Sequence, residues 1–397
     1  MTLLPVDEAR SRILDLVRPL EAEEVEIDEA LGRAIVAPIT VQRTLPPWDN
    51  SAMDGYAVRA ADALRLAVTQ KIFAGDQPTQ EVTGGTCARI MTGAPLPPGA
   101  DAVVMQEKVK VLEGGSIELQ EPVKRGANVR RRGEDVREGE LLFAAGRELS
   151  LSDAGALWGQ GLSRVSVGRR PRVAVVSSGD ELCDVGAVEA GKIVDTNTPV
   201  IAAAVKRAGG IPLRLGRAAD TLESLKQHFA RGLDADVLIT LAGASVGERD
   251  FTRQALIELG VDIDFWKVAM KPGKPLAFGR KGSTLVFGLP GNPVSAMVTF
   301  ELFVRPALRA LQGLAPLPVS LPGRLAVDVP KQPGLRLFVR ATTEVRDGAL
   351  WARPLGSQSS GALSSASGAT CLIDLPATSS DVKSGSEISI FPVSWGG

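Results

Sequence analysis

"RRPRVAVVSSGDEL" (residues 169–182) sets four apolar residues, Val173 to Val176, between a proline and a Ser-Ser-Gly turn followed by two acidic side chains. It reads as a strand running into a loop, and the pattern then repeats. A helical stretch over 199–210 ("PVIAAAVKRAGG") comes next, then "IPLRLGR" (211–217) and a helix over 221–233 ("TLESLKQHFARGL"). These are followed by "ADVLITL" (235–241), a helix near 250–260, "FWKVA" (265–269), "STLVFGL" (283–289) and a long helix from Val294 to Leu311. Apolar strands alternating with helices of about a dozen residues predict an α/β domain with a doubly wound, mostly parallel sheet. Ligands of such sheets bind beyond the carboxyl ends of the strands.

The flanks follow other patterns. Residues 6–20 place Ala9, Ile13, Leu14 and Val17 on one helical stripe, and a second helical stretch covers 150–162. Between them, residues 41 to about 140 are rich in Gly, Pro, Val and Thr, and "EGGS" (113–116) between strand-like runs predicts a hairpin. After about 313 the β signals return, with Asp347-Gly348 as a hairpin turn. The expected organisation is a split helical domain (1–40 and 141–169), an inserted β-rich domain (41–140), the α/β domain (170–312) and a C-terminal β domain, barrel-like (313–397).

Composition narrows the chemistry. A chain of 397 residues is long enough for two to four domains, each with its own core. Its 45 Lys and Arg against 46 Asp and Glu give a net charge of −1, so no global field favours nucleic acid or an anionic membrane. Aromatic residues at 4% argue against a base-stacking surface. Cys87, Cys183 and Cys371 form no CxxC pair, which predicts a reduced chain without a zinc or cluster signature. The single histidine, His228, lies in an amphipathic helical pattern, so histidine acid/base chemistry is not expected. The start lacks the basic and apolar regions of a signal peptide, and no apolar run reaches transmembrane length; a cytoplasmic protein is the expectation.

Four loops of the α/β region carry chemistry. "SSGDEL" (177–182) offers Ser177, Gly179, Asp180 and Glu181, although a turn with a helix cap reads equally well. "LAGASVGERD" (241–250) combines Gly243, Ser245 and Gly247, small enough for backbone N–H groups to approach a phosphate, with Asp250, which reads as a metal ligand or as a helix cap. Its spacing is not that of a GxxxxGK[ST] phosphate loop. "GLPGNPVSAMVTF" (288–300) places Pro290, Gly291 and Asn292 before a helix, with Asn292 as N-cap, Pro293 in the first turn and free N–H groups facing the sheet edge. "KVAMKPGKPLAFG" (267–279) brings Lys267, Lys271 and Lys274 close together and stiffens the backbone with Pro272 and Pro275. The set describes a site for a phosphorylated, polyanionic ligand.

These motifs also form an ordered series. "PPWDNSAMDGYAV" (46–58), "IMTGAPLPPGADAVV" (90–104), "RRRGEDV" (130–136), "SSGDEL", "SVGERD", "FWKVAMKPGKPLAFG" and "GLPGNPVSA" resemble, in order and over nearly the whole chain, the molybdopterin molybdenumtransferase family, which includes the gephyrin E domain. The resemblance implies a four-domain homodimer and a Mg²⁺-dependent reaction. Adenylylated molybdopterin is cleaved, molybdenum from molybdate enters its dithiolene, and AMP and molybdenum cofactor are released. It implies functional roles for Asp54, Thr92 and Asp135, acting across the dimer. Glu181 and Asp250 would be the Mg²⁺ carboxylates, and Lys267, Lys271 and Lys274 the molybdate and phosphate contacts. The residue-level alternatives are a turn role for Asp54 and, for Asp135, a salt bridge to Arg130–Arg132.

The chain departs from the family pattern in "LAGASVG", in "RAADTLES", where Asp220 reads as a helix cap with Glu223, and at Thr370, where asparagine is common. Two other functions stay open at this stage: a non-catalytic molybdopterin-binding scaffold or carrier, and a molybdopterin adenylyltransferase. The adenylyltransferase and molybdoenzyme acceptors are the protein partners that the resemblance suggests.

Overall fold

The computed structural model describes residues 3–241, 251–316 and 320–395. The chain forms two compact units: one comprises the segments through Val36, Gly146–Ala154 and from Arg164 onward, the other Ala37–Ala145 with Gly155–Ser163.

The first unit contains the repeat that opens with Arg172. Strands β1 (Arg172–Ser178), β2 (Ile211–Ala218), β3 (Val237–Leu241), β4 (Asp262–Phe265), β5 (Ala277–Lys281) and β6 (Thr284–Leu289) make one six-stranded sheet in the order β2-β1-β3-β6-β5-β4. β2, β1, β3 and β6 are mutually parallel, while β5 runs antiparallel to both its neighbours. Helices α1 (Asn197–Arg207), α2 (Leu222–Gly232) and α3 (Thr252–Glu258) connect strands. Both sheet faces are covered. Val173 and Val175 of β1 pack into a core with Ala9, Ile13, Ile201, Val205 and Phe303, whereas Ala174 and Val176 face Leu225, Phe229 and Leu256. This two-sided burial is why β1 is apolar without alternation.

Two differences from the sequence reading concern this sheet. "FWKVA" (265–269) is not a strand: β4 ends at Phe265, and the next extended pair, Met270–Lys271, aligns in parallel with Arg336–Leu337. Strand β5 is not among the expected strands; it forms a hairpin with β6 around Gly282 (φ +58°). The long helix exists, but as Pro293–Thr299, a π-helical turn Phe300–Val304 and Arg305–Leu311. The wider turn precedes Pro306, which has no N–H to give to the turn before it.

The C-terminal segment of the same unit is a closed five-stranded barrel. β7 (Leu321–Leu325), β8 (Arg336–Arg346), β9 (Ala349–Pro354), β10 (Cys371–Leu375) and β11 (Glu387–Pro392) pair in the cycle β8-β9-β7-β11-β10, and β10 returns to β8. The expected Asp347-Gly348 turn is present, with φ of +49° and +74° and Arg346 opposite Ala349. Val339, Ala341, Ala352, Ile373 and Ile390 fill the interior.

The second unit is built on another six-stranded sheet. Its strands are, in spatial order, Ala102–Met105, Gly55–Val58, Thr86–Ile90, Arg65–Ile72, Ser116–Leu119 and Val109–Val111. The "EGGS" hairpin is as expected: Gly114 and Gly115 both have φ +79°, and Val111 faces Ile117. All three cysteines are buried and free. No helix among the described residues is long and apolar enough to cross a membrane.

Candidate active site

Register puts three strand ends at one level. Ser177 of β1 lies opposite Leu241 of β3, and Leu241 opposite Leu289 of β6, so the carboxyl ends of these strands lie side by side. The chain leaves β1 for β2 on one side and returns to β3 on the other, which opens the crevice where α/β sheets bind ligands. A cavity of about 530 Å³ lies there, lined by Ser177, Glu181, Asp195, Asn197, Pro290 and Asn292 among others. A second cleft of about 890 Å³ lies against the barrel, with Lys271, Lys274, Ser295, Phe338, Leu355 and Ser360 in its walls. Pro275, Pro290 and Asn292 border both, so the two volumes are neighbours in one composite site.

The acidic chamber is built by β1 and its loop. Ser177 and Ser178 are buried at the strand end, and Gly179 turns the chain with φ +144°. A Cβ on Gly179 would stand 2.6 Å from Oε2 of Glu181, so the glycine makes room for that carboxylate. Glu181 is exposed, and its carbonyl accepts the Ile193 N–H at 2.7 Å. Asp180 and Asp220 tie two loops together: the Asp180 N–H donates to Asp220 Oδ2 at 3.2 Å, and the Asp220 N–H to Asp180 Oδ1 at 3.3 Å. Asp220 therefore does not cap α2. Thr221 does, accepting the Ser224 N–H at 3.3 Å.

The loop after β6 also differs from expectation. Asn292 is the N-cap residue and Pro293 the first-turn proline, but the Asn292 side chain bonds Ser360 Oγ rather than the helix. The Val294 N–H is not free, because it donates to the Ser360 carbonyl at 3.1 Å. The neighbouring Gly291 carbonyl accepts from Asn197 Nδ2 at 2.7 Å. The serine-rich segment of the barrel thus occupies a helix end that the sequence left open for an anion.

The cationic chamber centres on the Lys-Pro-Gly-Lys-Pro turn. Lys271 and Lys274 are exposed into the cleft, and neither has an ion-pair partner among the described residues. Lys267 is half-buried and not part of the cleft wall; its carbonyl accepts the Leu4 N–H. Arg340 of β8 is fully buried beneath the serine-rich segment, without a carboxylate partner among the described residues. Its Nη2 donates to the carbonyls of Ser357 and Ser359 and to Ser365 Oγ, while Nη1 has no hydrogen-bond partner. Burial pulls this guanidinium below its ordinary pKa. Sequence reasoning missed Arg340, Asp195 and Asn197. "VDTNTP" (194–199) carried a usable signal, an aspartate three residues before a threonine, and Asp195 does accept from the Thr198 N–H and hydroxyl.

In the second unit, Asp54 and Thr92 are brought together. Asp54 Oδ1 accepts from the Thr92 N–H at 2.8 Å and from Thr92 Oγ1 at 2.7 Å, and the backbone bond is the main reason its pKa lies below the ordinary value. Gly55, the next residue, lies close against the neighbouring strand, since a Cβ there would meet the Val104 carbonyl oxygen at 1.9 Å. Asp135 is exposed, and the arginine run does not pair with it: Arg131 Nη1 bonds Asp49 Oδ2 at 2.7 Å. Gly243, Ser245, Gly247 and Asp250 lie outside the described residues. Among the described residues no group of three or more His, Cys, Asp or Glu could hold a metal ion.

Known proteins match the chain over nearly its whole length. Residues 4–161 match the model of the MoeA N-terminal region (domain I and II), 174–310 that of a probable molybdopterin binding domain, and 322–393 that of the MoeA C-terminal region (domain IV). A molybdopterin molybdenumtransferase of Haemophilus influenzae is 37% identical, with 98% of each chain covered. The chain belongs to the molybdopterin molybdenumtransferase family. A Bacillus subtilis relative of the same name is 34% identical over 98% of this chain and 94% of its own. A solved molybdopterin biosynthesis moeA protein from Pyrococcus horikoshii OT3 superposes with a TM-score of 0.86 at 30% identity, covering 98% of this chain and 100% of that one. Membership makes the chain a transferase enzyme of molybdenum cofactor biosynthesis.

Proposed function

We propose that the chain inserts molybdenum from molybdate into adenylylated molybdopterin, releasing AMP, in a Mg²⁺-dependent reaction. The observation that carries this reading is the composite site: Glu181 lines one chamber, Lys271 and Lys274 the other, and neither lysine has an ion-pair partner among the described residues. A ligand with one anionic group at the lysines and a second group held through a cation beside Glu181 fits that distribution. Lys271 and Lys274 hold molybdate and phosphate oxygens, and their fixed placement lowers the ordering cost of binding. Ser177, Gly179, Asp180, Pro290, Gly291 and Asn292 frame the organic part of the substrate, with Gly243, Ser245 and Gly247 assigned to the same task.

Mg²⁺ suits this donor set. It is usually held by one or two carboxylates together with phosphate oxygens and water, so a preformed cage is not required. Glu181, and Asp250 from the undescribed segment, would hold it. When bound, it supplies charge stabilisation at the phosphate that leaves with AMP. A homodimer, a cytoplasmic location and the expected domain boundaries belong to the same proposal, as do the roles of Asp54, Thr92, Asp135 and Lys267.

The test is direct. Purified protein is incubated with adenylylated molybdopterin, and AMP and active cofactor are followed with and without molybdate and Mg²⁺. AMP release that needs both ions is the expected result. AMP release independent of molybdate, or none under any condition, would overturn the proposal.

A further inference from the structure

We propose that Arg89 is a positioning residue for Asp54, acting through the backbone on either side of that carboxylate. Arg89 is half-buried on the strand Thr86–Ile90, three residues before Thr92. Its Nη1 donates to the Gly55 carbonyl at 2.8 Å, the residue directly after Asp54. Its Nη2 donates to Gln106 Oε1 at 2.5 Å, and the Gln106 N–H in turn donates to the Asp54 carbonyl at 3.1 Å. The guanidinium also lies 5.0 Å from the centre of the Tyr56 ring. One planar fork therefore closes a loop around the Asp54 backbone, while Thr92, on the same segment as Arg89, holds the carboxylate itself.

The geometry has a chemical reason to need arginine. Two donors at fixed separation reach two acceptors on different segments, whereas a lysine ammonium is a point charge that cannot span both. Gly55 admits no side chain, so the residue after Asp54 offers the bracing arginine only its backbone carbonyl. The charge of Arg89 also favours the ionised form of Asp54.

The inference rests on the proposed role of Asp54, and the experiment separates the two. Steady-state kinetics of AMP release are measured for D54N, R89A, R89K, Q106A and the double variant D54N/R89A, alongside thermal melts. R89A is expected to lower kcat by about 10- to 100-fold with KM changed less than about threefold, since small displacements of a functional group act on the reacting state. R89K, which keeps the charge and loses the fork, should lose nearly as much, and Q106A a smaller part. In the D54N background, R89A should cost less than about threefold more; a merely structural arginine would cost the same factor in both backgrounds. Wild-type turnover in D54N would remove the role of Asp54 and this inference with it. A slow D54N combined with wild-type turnover in R89K and Q106A would overturn the Arg89 inference alone. Should R89A not fold, R89K and Q106A decide the matter by the same criteria.

Discussion

Gly273 sits between the two cleft lysines with φ +103°, a conformation side-chain-bearing residues avoid. It is also enclosed: a Cβ added there would stand 2.5 Å from Cγ2 of Thr299 and 3.1 Å from Cε of Met270. Thr299 is itself immobilised, its hydroxyl donating to the Ser295 and Ala296 carbonyls at 2.8 and 3.1 Å. The helix that starts at the site's edge thus fixes the lysine turn from beneath. G273A should cost about 1–3 kcal/mol of stability and, by shifting Lys271 and Lys274, lower activity more than stability explains. Thermal melts and molybdate-dependent AMP release check both. T299S, which removes the colliding methyl, should recover part of the loss in the double variant; no recovery would mean that the φ penalty dominates. Glu181 is the other residue with a separable role: E181Q keeps the shape and loses the charge, so it should raise the Mg²⁺ concentration for half-maximal rate by about 10-fold or more while the melting temperature holds within a degree or two.

The helix Leu151–Gly159 shows how local chemistry sets an element. In "SLSD" (150–153), Ser150 Oγ accepts the Asp153 N–H at 3.2 Å and Asp153 Oδ2 accepts the Ser150 N–H at 2.9 Å, a capping box with aspartate in the usual glutamate position. Arg147 closes on the same carboxylate with Nε and Nη2 at 3.1 and 2.7 Å. The Arg147 bond, followed by those from Ser150, outweighs burial and holds the Asp153 pKa down at about 2. A carboxylate whose folded pKa is depressed stabilises the fold above its unfolded pKa, and that contribution is lost as pH falls towards the folded value. D153A should therefore cost about 1–2 kcal/mol near neutrality, with the gap to wild type closing as pH falls from about 4 towards about 2. Melts across that range test the sign.

Legibility in the sequence followed the same local logic. Strands buried on both faces, two-residue glycine hairpins and the N-terminal helix stripe, with Ala9, Ile13 and Val17 buried, could be read because each rests on neighbours in sequence. The pairing of Met270–Lys271 with Arg336–Leu337 of the barrel could not, because its partner lies far along the chain. Arg340 was invisible for a related reason: nothing in "LRLFVRATTEV" marks one arginine as buried until β8 pairs with both β9 and β10. The same holds for the Val294 N–H, whose acceptor is 66 positions away at Ser360.

On the scale of the molecule, the cleft wall of the first unit combines two sources of rigidity. The sheet sets Ser177, Leu241 and Leu289 level, and the closed barrel has no free edge along which its cleft-facing strands could slip. Asp54 and Thr92 belong to a separate compact unit. If they serve the cleft of a second chain, as the homodimer proposal holds, two differently damaged chains should complement each other. D54N and K271A, each expected to be severely slowed alone, are coexpressed with different tags and the mixed dimer is purified through both. One of its two clefts would then carry both defects and the other neither, which predicts about half the wild-type rate. If both residues served the cleft of their own chain, each cleft of the mixed dimer would keep one defect and the rate would stay at the level of the single variants. Sedimentation of the wild type as a monomer at assay concentration would remove the shared-cleft arrangement altogether.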